Sequence, residues 1–199
     1  MKKSTRTLLG TSIAAALGAM LLLGGTGSLA FWSDTATSAT QRIQSGTLDL
    51  GSSSQISTTG ATLKQCTTPT TCGPSAAYTG GPLVPGDVVT ATVNVPVTLA
   101  GQNLQARFTA TPSKTASSAA AADVALRDAL TVTVKSVNGT ATASTPATIT
   151  LTPSQLSGGT VPVVVEITFP WGTTGQYNNA MGGMVTFSAA YTLAQIPAG

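Results

Sequence analysis

A regular alternation of apolar and polar side chains runs through much of this 199-residue chain, and no other feature restricts its fold as strongly. The clearest example places aliphatic side chains at every second position: Val89, Ala91, Val93, Val95, Val97 and Leu99. Threonine and asparagine fill most of the positions between them. A period of two residues is typical of a β-strand with one buried face and one solvated face.

Similar patterns predict strands at residues 47–50, 104–110, 130–134, 147–151, 161–169 and 185–193. Residues 119–130 are the one helical candidate, and Asn138-Gly139 predicts a tight turn. Because each one-sided strand needs a second layer to cover its apolar face, we expect an all-β fold. The predicted architecture is a two-sheet antiparallel β-sandwich, jelly-roll-like, with one short helix.

The connections are predicted from turn-forming residues. Residues 100–103 indicate a short hairpin-like connection, and residues 112–118 indicate a loop. Pro96 lacks an amide donor, so its strand is expected to have an edge or a bulge there. Thr152-Pro153-Ser154-Gln155 predicts a capped helical turn. Residues 52–81 are rich in serine, threonine, glycine and proline and predict a long surface excursion.

Residues 1–30 predict a secretory signal peptide. Three basic residues lie near its start, an apolar stretch follows, and Ser28-Leu29-Ala30 supplies the small residues that signal peptidase reads. The apolar stretch of about 15 residues is short for a retained transmembrane anchor, which needs about 20. We therefore expect cleavage between Ala30 and Phe31, a secreted extracellular or cell-surface location, and no membrane association afterwards.

Without residues 1–30 the chain is neutral, because its six lysine or arginine residues are matched by six aspartate or glutamate residues. With no basic patch, we expect no nucleic-acid partner. A net charge near zero weakens repulsion between copies and favours self-association. The predicted organisation is a signal peptide at 1–30, an N-terminal segment at 31–44 that is either flexible or a strand lacking a partner, and a β-sandwich domain at 45–199.

The chain contains no histidine, which excludes Ser-His-Asp triads and histidine-bearing zinc sites. We interpret the acidic residues as solvated surface charge, mostly on turns or outward strand positions: Asp34, Asp49, Asp87, Asp123, Asp128 and Glu166. Asp87, which follows Pro85-Gly86, is interpreted as a turn-former. We expect no enzyme activity, no cofactor and no metal.

Two pairs of residues are singled out for other reasons. Cys66 and Cys72 predict a disulfide around a small loop, since paired cysteines in exported chains are usually oxidised. Trp171 and Tyr177 share the predicted loop at residues 170–183. They either cap the core or stack on a sugar or a partner.

Four parts of the chain resemble the TasA/camelysin-like exported proteins, which carry an alternate (SipW-type) signal peptide. They are the glycine-rich stretch that leads into Phe31-Trp32 at residues 24–34, Ser-Gly-Thr-Leu-Asp-Leu at 45–50, Leu-Val-Pro-Gly-Asp at 83–87, and the C-terminal pair 163–170 and 184–193. The resemblance implies a secreted jelly-roll sandwich that assembles into extracellular fibres.

The resemblance also implies that the N-terminal segment of one subunit completes a sheet of the next. The candidate donor strand is residues 31–44, with these pairing residues: Phe31, Trp32, Thr35, Thr37, Ala39, Gln41 and Ile43. A frayed N-terminal tail is the alternative for this segment.

The expected function is therefore a secreted structural subunit of a surface or biofilm-matrix fibre. The subunit's partner is itself, in a homopolymer formed by strand exchange, with extracellular matrix or cell-wall contacts as further candidates. A secreted monomeric binding module or adhesin is the alternative. A camelysin-like peptidase is a remote one, because this chain has no histidine.

Overall fold

The structure, a computed structural model, describes residues 45–197 except 52–55, 57–58, 69 and 157. The strands are β1 (Thr47–Leu50), β2 (Thr62–Gln65), β3 (Ala76–Ala77), β4 (Asp87–Ala100), β5 (Gln105–Ala116), β6 (Thr131–Val137), β7 (Thr140–Ala141), β8 (Ala147–Leu151), β9 (Thr160–Thr168) and β10 (Val185–Ile196). The helix α1 spans Ala121–Ala129, and 3-10 turns span Pro153–Gln155 and Asn178–Ala180. None of the helices described has the length and apolar character needed to cross a membrane.

The strands form two antiparallel sheets that pack against each other. The larger sheet has seven strands in the order β3-β2-β4-β9-β6-β7, with β1 also paired to β4, and the smaller sheet has three in the order β10-β5-β8. From β4 onward the chain crosses repeatedly between the two layers. This arrangement confirms the predicted two-sheet antiparallel fold with one short helix.

The core lies between the sheets and uses the positions that the alternation predicts. The six apolar residues from Val89 to Leu99 on β4 are buried, whereas Thr92, Asn94 and Thr98 are exposed. On β9 and just after it, the buried residues are again alternate: Val161, Val163, Val165, Ile167 and Phe169. The smaller sheet contributes Ala106, Phe108, Ala110 and Leu151, each 0 % exposed.

Pro96 lies where its missing amide removes no bond between β4 and β9. The amide of Val97 donates to the Gly159 carbonyl on the β9 side of β4. Because backbone groups alternate in direction along a strand, the nitrogen of Pro96 faces the opposite side. The Pro96 carbonyl on that side accepts a hydrogen bond from the Gly51 amide. Pro96 is therefore neither at a bulge nor on an edge strand: it lies on the side of β4 where β2 pairs only as far as Thr90 and β1 pairs only from Val97.

Two predicted connections are wrong. Residues 100–103 do not join a hairpin, because β4 and β5 belong to different sheets and the connection crosses between the layers. Residues 112–116 continue β5 and do not begin a loop. Pro112 is accommodated within this strand because its nitrogen faces the β8 side, where β8 pairs with β5 only as far as Ala110.

Residues 52–81 contribute to the sheet as well as to the surface, which corrects the prediction of a surface excursion. Strands β2 and β3 lie at the edge of the larger sheet. Ile56 and Ala61 are buried in the hydrophobic core. These core contacts could not be predicted from the composition of the segment, because only a few apolar residues among many polar ones make the contacts.

The smaller predicted elements are confirmed. Helix α1 lies within residues 119–130, and Leu130 just after it is buried. Asn138 and Gly139 have φ angles of 49° and 77°, as a tight hairpin turn requires. The Thr152 amide donates to Gln155 Oε1 at 2.9 Å, which is the contact predicted for the capped turn.

Candidate functional site

The predicted disulfide is present between Cys66 and Cys72. It closes a small loop in which the Thr67 amide donates to the Thr71 carbonyl at 2.9 Å. The Cys66 amide donates to the Gly86 carbonyl at 2.8 Å. The disulfide loop is therefore fixed to the turn that begins β4.

The other predicted site residues lie outside the described residues. These are the signal cleavage pair, Ala30 and Phe31, and the candidate donor residues Trp32, Thr35, Thr37, Ala39, Gln41 and Ile43. Two surfaces of the described domain stand out: the free side of β10 and a cavity near its first residues.

Strand β10 forms one edge of the smaller sheet along its whole length. It pairs with β5 in unbroken register from Val185 to Ile196, and no described strand pairs with its other side. The Ser117 amide donates to the Met184 carbonyl, so even-numbered residues direct their backbone groups to β5. The amides and carbonyls that face outward belong to Val185, Phe187, Ala189, Tyr191, Leu193 and Gln195; we call this row the β10 edge.

The β10 edge lacks the features that usually protect an exposed strand. Residues 185–196 include no charged residue and no proline, and the pairing with β5 has no bulge. Strand β8, on the other side of the smaller sheet, has five residues, and β3 and β7 have two each. A long, regular and uncharged edge is a template for pairing with another strand.

The inward side chains of β10 are less buried than the centre of the core. Phe108 on β5 is 0 % exposed, whereas Phe187, Tyr191 and Leu193 are half-buried. The Tyr191 ring stacks on Phe108 with 5.8 Å between centroids. Its hydroxyl is buried without a hydrogen-bond partner in the described part of the chain, and burial raises the pKa of Tyr191. An additional strand at this edge would cover these side chains.

A cavity of about 940 Å³ lies beside the first residues of β10. One wall is formed by residues 78–85, and the facing wall is formed by residues 169–184. Ser117, Leu126 of α1, Leu130, Val185 and Phe187 complete the lining. Among the described residues, no charged side chain lines this cavity, and its polar lining is Ser117, Thr173, Thr174, Gln176 and Asn178 together with the Tyr78 and Tyr177 hydroxyls. We call it the apolar cavity.

Asp87 holds the wall formed by residues 78–85. The Val84 amide donates to Asp87 Oδ2 at 2.8 Å, and the Asp87 amide donates to the Val84 carbonyl at 3.0 Å. Asp87 is 4 % exposed, so its interpretation as solvated surface charge is wrong. Its two hydrogen bonds close the turn, in line with the turn-forming interpretation.

Asp123 holds the facing wall. Its carboxylate accepts hydrogen bonds from the Ser118 hydroxyl at 2.7 Å and from the Met184 amide at 2.8 Å. Asp123 is 6 % exposed, so the prediction of surface charge is wrong here too. The reason is the same at both positions: the carboxylate replaces water with backbone amides or a hydroxyl.

The aromatic residues of this wall have different roles. The Tyr177 ring packs edge-on against Phe169, with 5.0 Å between centroids, and therefore caps the core. Trp171 is 51 % exposed and presents much of its ring to solvent beside the cavity. Of the two alternatives left open by the sequence, Tyr177 follows the first, whereas the half-exposed position of Trp171 beside Gly86 leaves both open for that residue.

We expect Asp123 to make stability depend on acid pH. The hydrogen bonds from Ser118 and the Met184 amide lower the pKa of its carboxyl below the usual 3.8. A carboxylate with a lowered folded-state pKa stabilises the fold above its unfolded pKa and loses that contribution as the pH falls through the folded pKa. In thermal melts, the wild type should be more stable than Asp123→Asn at neutral pH, and the difference should shrink below pH 3.8.

Asp128→Asn is the matched control, because Asp128 is exposed and pairs only with its neighbour Arg127 among the contacts described. This variant should follow the wild-type acid profile. A constant difference between wild type and Asp123→Asn at all pH values would contradict the assigned role.

The remaining described acidic residues form no joint site. Glu166 pairs with Lys135 at 3.5 Å, and Asp128 pairs with Arg127 at 2.7 Å. Across the residues that the structure describes, no three histidine, cysteine, aspartate or glutamate side chains are grouped so as to hold a metal ion.

Comparisons with protein-family profiles, with curated proteins and with solved structures found no match for this chain.

Proposed function

We propose that this chain is an exported structural protein, the subunit of an extracellular surface or biofilm-matrix fibre. In this assembly, residues 31–44 of one copy pair with the β10 edge of another copy. The observation that carries the proposal is the β10 edge itself, which offers twelve residues of regular strand with an unpaired side among the described residues. Addition of a strand to an exposed sheet edge is a general mode of protein association.

The dimensions of the two segments agree. Strand β10 has 12 residues, which is about 40 Å at the usual rise of a strand, and residues 31–44 are long enough to match it. In an extended segment, odd-numbered residues lie on one face. That face would contain the donor residues Thr35, Thr37, Ala39, Gln41 and Ile43, which would extend the cover over Phe187, Tyr191 and Leu193.

Charge also favours association between copies. The chain from residue 31 onward has equal numbers of basic and acidic residues, so long-range repulsion between subunits is weak. The β10 edge contains no charged side chain that pairing would have to desolvate. Backbone hydrogen bonds and apolar cover would therefore determine the affinity.

The resemblance to TasA/camelysin-like proteins supports the same proposal and adds export. Strand donation after signal removal would restrict assembly to the outside of the cell, because the donor segment follows the predicted cleavage site. We do not extend the proposal to the peptidase activity attributed to some camelysin-like proteins, because the chain has no histidine.

Deletion of residues 31–43 tests the proposal. We expect the processed protein to form filaments in electron micrographs and the deletion variant to form none, while circular dichroism shows that its β-sheet content is retained. A variant with the same residues in scrambled order controls for chain length. Filaments of undiminished length from the deletion variant would contradict strand donation.

The intact protein provides a second arm of the experiment. Pairing of residues 31–44 with the β10 edge of their own copy is a competing arrangement. We expect size-exclusion chromatography to show species larger than a monomer as concentration rises. A protein that stays monomeric at high concentration would overturn the fibre proposal and favour a monomeric binding module.

A further inference from the structure

The large apolar side chains that the domain exposes are concentrated in one place. Five such residues are exposed among those described: Leu48, Val84, Trp171, Met181 and Met184. All except Leu48 line the apolar cavity. Single exposed apolar residues are normal on a protein surface, but their collection in a concave site marks a site of interaction.

Several polar groups around the cavity are already engaged by the protein. The Tyr78 hydroxyl donates to the Gly81 carbonyl at 2.6 Å. Gln176 Oε1 accepts the Thr173 amide at 2.9 Å, and the Asp87 and Asp123 carboxylates hold the two walls. Thr174 and Asn178 also contribute polar side chains to the lining, but a sugar would need partners for several hydroxyl groups, and leaving any of them unpaired on binding is costly. A hydrocarbon chain needs no such partners.

We propose that the apolar cavity binds the hydrocarbon chain of a small amphiphile, whose polar head stays in water at the opening. The volume of about 940 Å³ lies in the range typical of small-molecule sites. Met181 and Met184 are 75 % and 64 % exposed, and unbranched, flexible methionine side chains adapt readily to a ligand of irregular shape. The half-exposed Trp171 ring would form one side of the site, and the bound hydrocarbon chain would cover it.

This inference is independent of the fibre proposal, since it rests on the walls of the cavity and not on the β10 edge. The two sites are nevertheless neighbours, because Val185 and Phe187 belong to both. Residues 31–44 of another copy are therefore the competing occupant, through Phe31 and Trp32. The experiment must therefore distinguish three possible occupants of the cavity: an alkyl chain, a sugar and residues 31–44.

The test is a fluorescence titration of the Trp32→Phe variant, in which Trp171 is the remaining tryptophan. The probe is octyl glucoside below its critical micelle concentration, with glucose as the head-group control and a peptide of residues 31–44 as the third arm. We expect a saturable blue shift of Trp171 emission with octyl glucoside and none with glucose. A response to glucose of equal size, or a response to the peptide alone, would overturn the proposal.

A pair of substitutions locates the binding. Met181→Lys places a charge in the cavity at a position that is 75 % exposed, so the fold should be retained. The substitution should weaken octyl glucoside binding by about tenfold or more, because the octyl chain would then have to displace water from the lysine ammonium group. Leu48→Lys alters the exposed apolar residue that lies outside the cavity and should leave binding unchanged. Equal effects of the two substitutions would show nonspecific detergent adsorption and would overturn the assignment.

Discussion

Replacing Ala189 with proline is expected to abolish filament formation while leaving the domain folded. The Ala189 amide faces outward from the β10 edge, so proline at this position removes a donor that only an added strand would use. The proline ring would also obstruct the approach of that strand. Pro112 lies directly opposite Ala189 on β5, and its nitrogen likewise faces away from the strand with which it is paired, so neither position supplies an amide to the β5–β10 ladder. Electron micrographs and a thermal melt measure the two outcomes.

Ala190→Pro is the matched control, one position along the same strand. The Ala190 amide faces β5, so proline here removes a bond within the smaller sheet and should lower the free energy of unfolding by about 3 kcal/mol. The two variants should therefore have different defects: Ala189→Pro should fold without forming filaments, whereas Ala190→Pro should lose stability. Full-length filaments from Ala189→Pro would contradict the assignment of β10 as the receiving strand.

Replacing Gly86 with alanine is expected to cause a large loss of stability from a single added methyl group. Gly86 has a φ of +98°, and an added Cβ would lie 2.5 Å from the Cys66 carbonyl oxygen and 2.9 Å from the Trp171 ring. The Gly86 backbone also bonds to Cys66 and Phe169 at 2.8 Å. We expect a loss of about 3 kcal/mol or more, from backbone strain together with displacement of these neighbours.

Gly80→Ala separates backbone strain from crowding. Gly80 has a similar φ of +86°, but an added Cβ there meets none of the described residues within 4 Å. This variant should lose only about 1 kcal/mol. Denaturant titration of both variants gives the comparison, and equal losses would show that contact with Cys66 and Trp171 contributes nothing.

The inward faces of the strands could be predicted from the sequence because the hydrophobic effect acts on each strand separately. Every second residue from Val89 to Leu99 is buried, and the same holds from Val161 to Phe169. The burial of these side chains depends on a covering layer and not on which strand supplies it. The pattern therefore predicts two layers correctly without knowing their connectivity.

The pairing of strands could not be predicted for the same reason. Strands β4 and β5 have matching alternation and a short connection, which is consistent with a hairpin or with a crossing between layers. The structure has the crossing. The β10 edge was not predicted either, although a signal was present: residues 185–196 form a long strand pattern without charge or proline.

The apolar cavity depends on contacts that no local pattern specifies. Asp87 and Asp123 are acidic residues near turns, and most residues of that kind are solvated. Their burial arises because distant segments, at Val84 and Met184, supply amides to the carboxylates. Of these two contacts, only that of Asp87 with Val84 could be anticipated from a local pattern, the Pro85-Gly86-Asp87 turn.

The crossings between layers also bear on when the chain can fold. Strand β5 pairs with β10 between residues that lie 69 to 91 positions apart in sequence, and β4 pairs with β9 between residues that lie 64 to 80 positions apart. Contacts between residues so far apart form slowly, because closing long loops costs entropy before it brings any contact. A ribosome-bound or partly translocated chain that lacks β10 would therefore be unable to complete the core. If the chain is exported as we propose, this delay would keep it in the unfolded state that threading through a secretion channel requires.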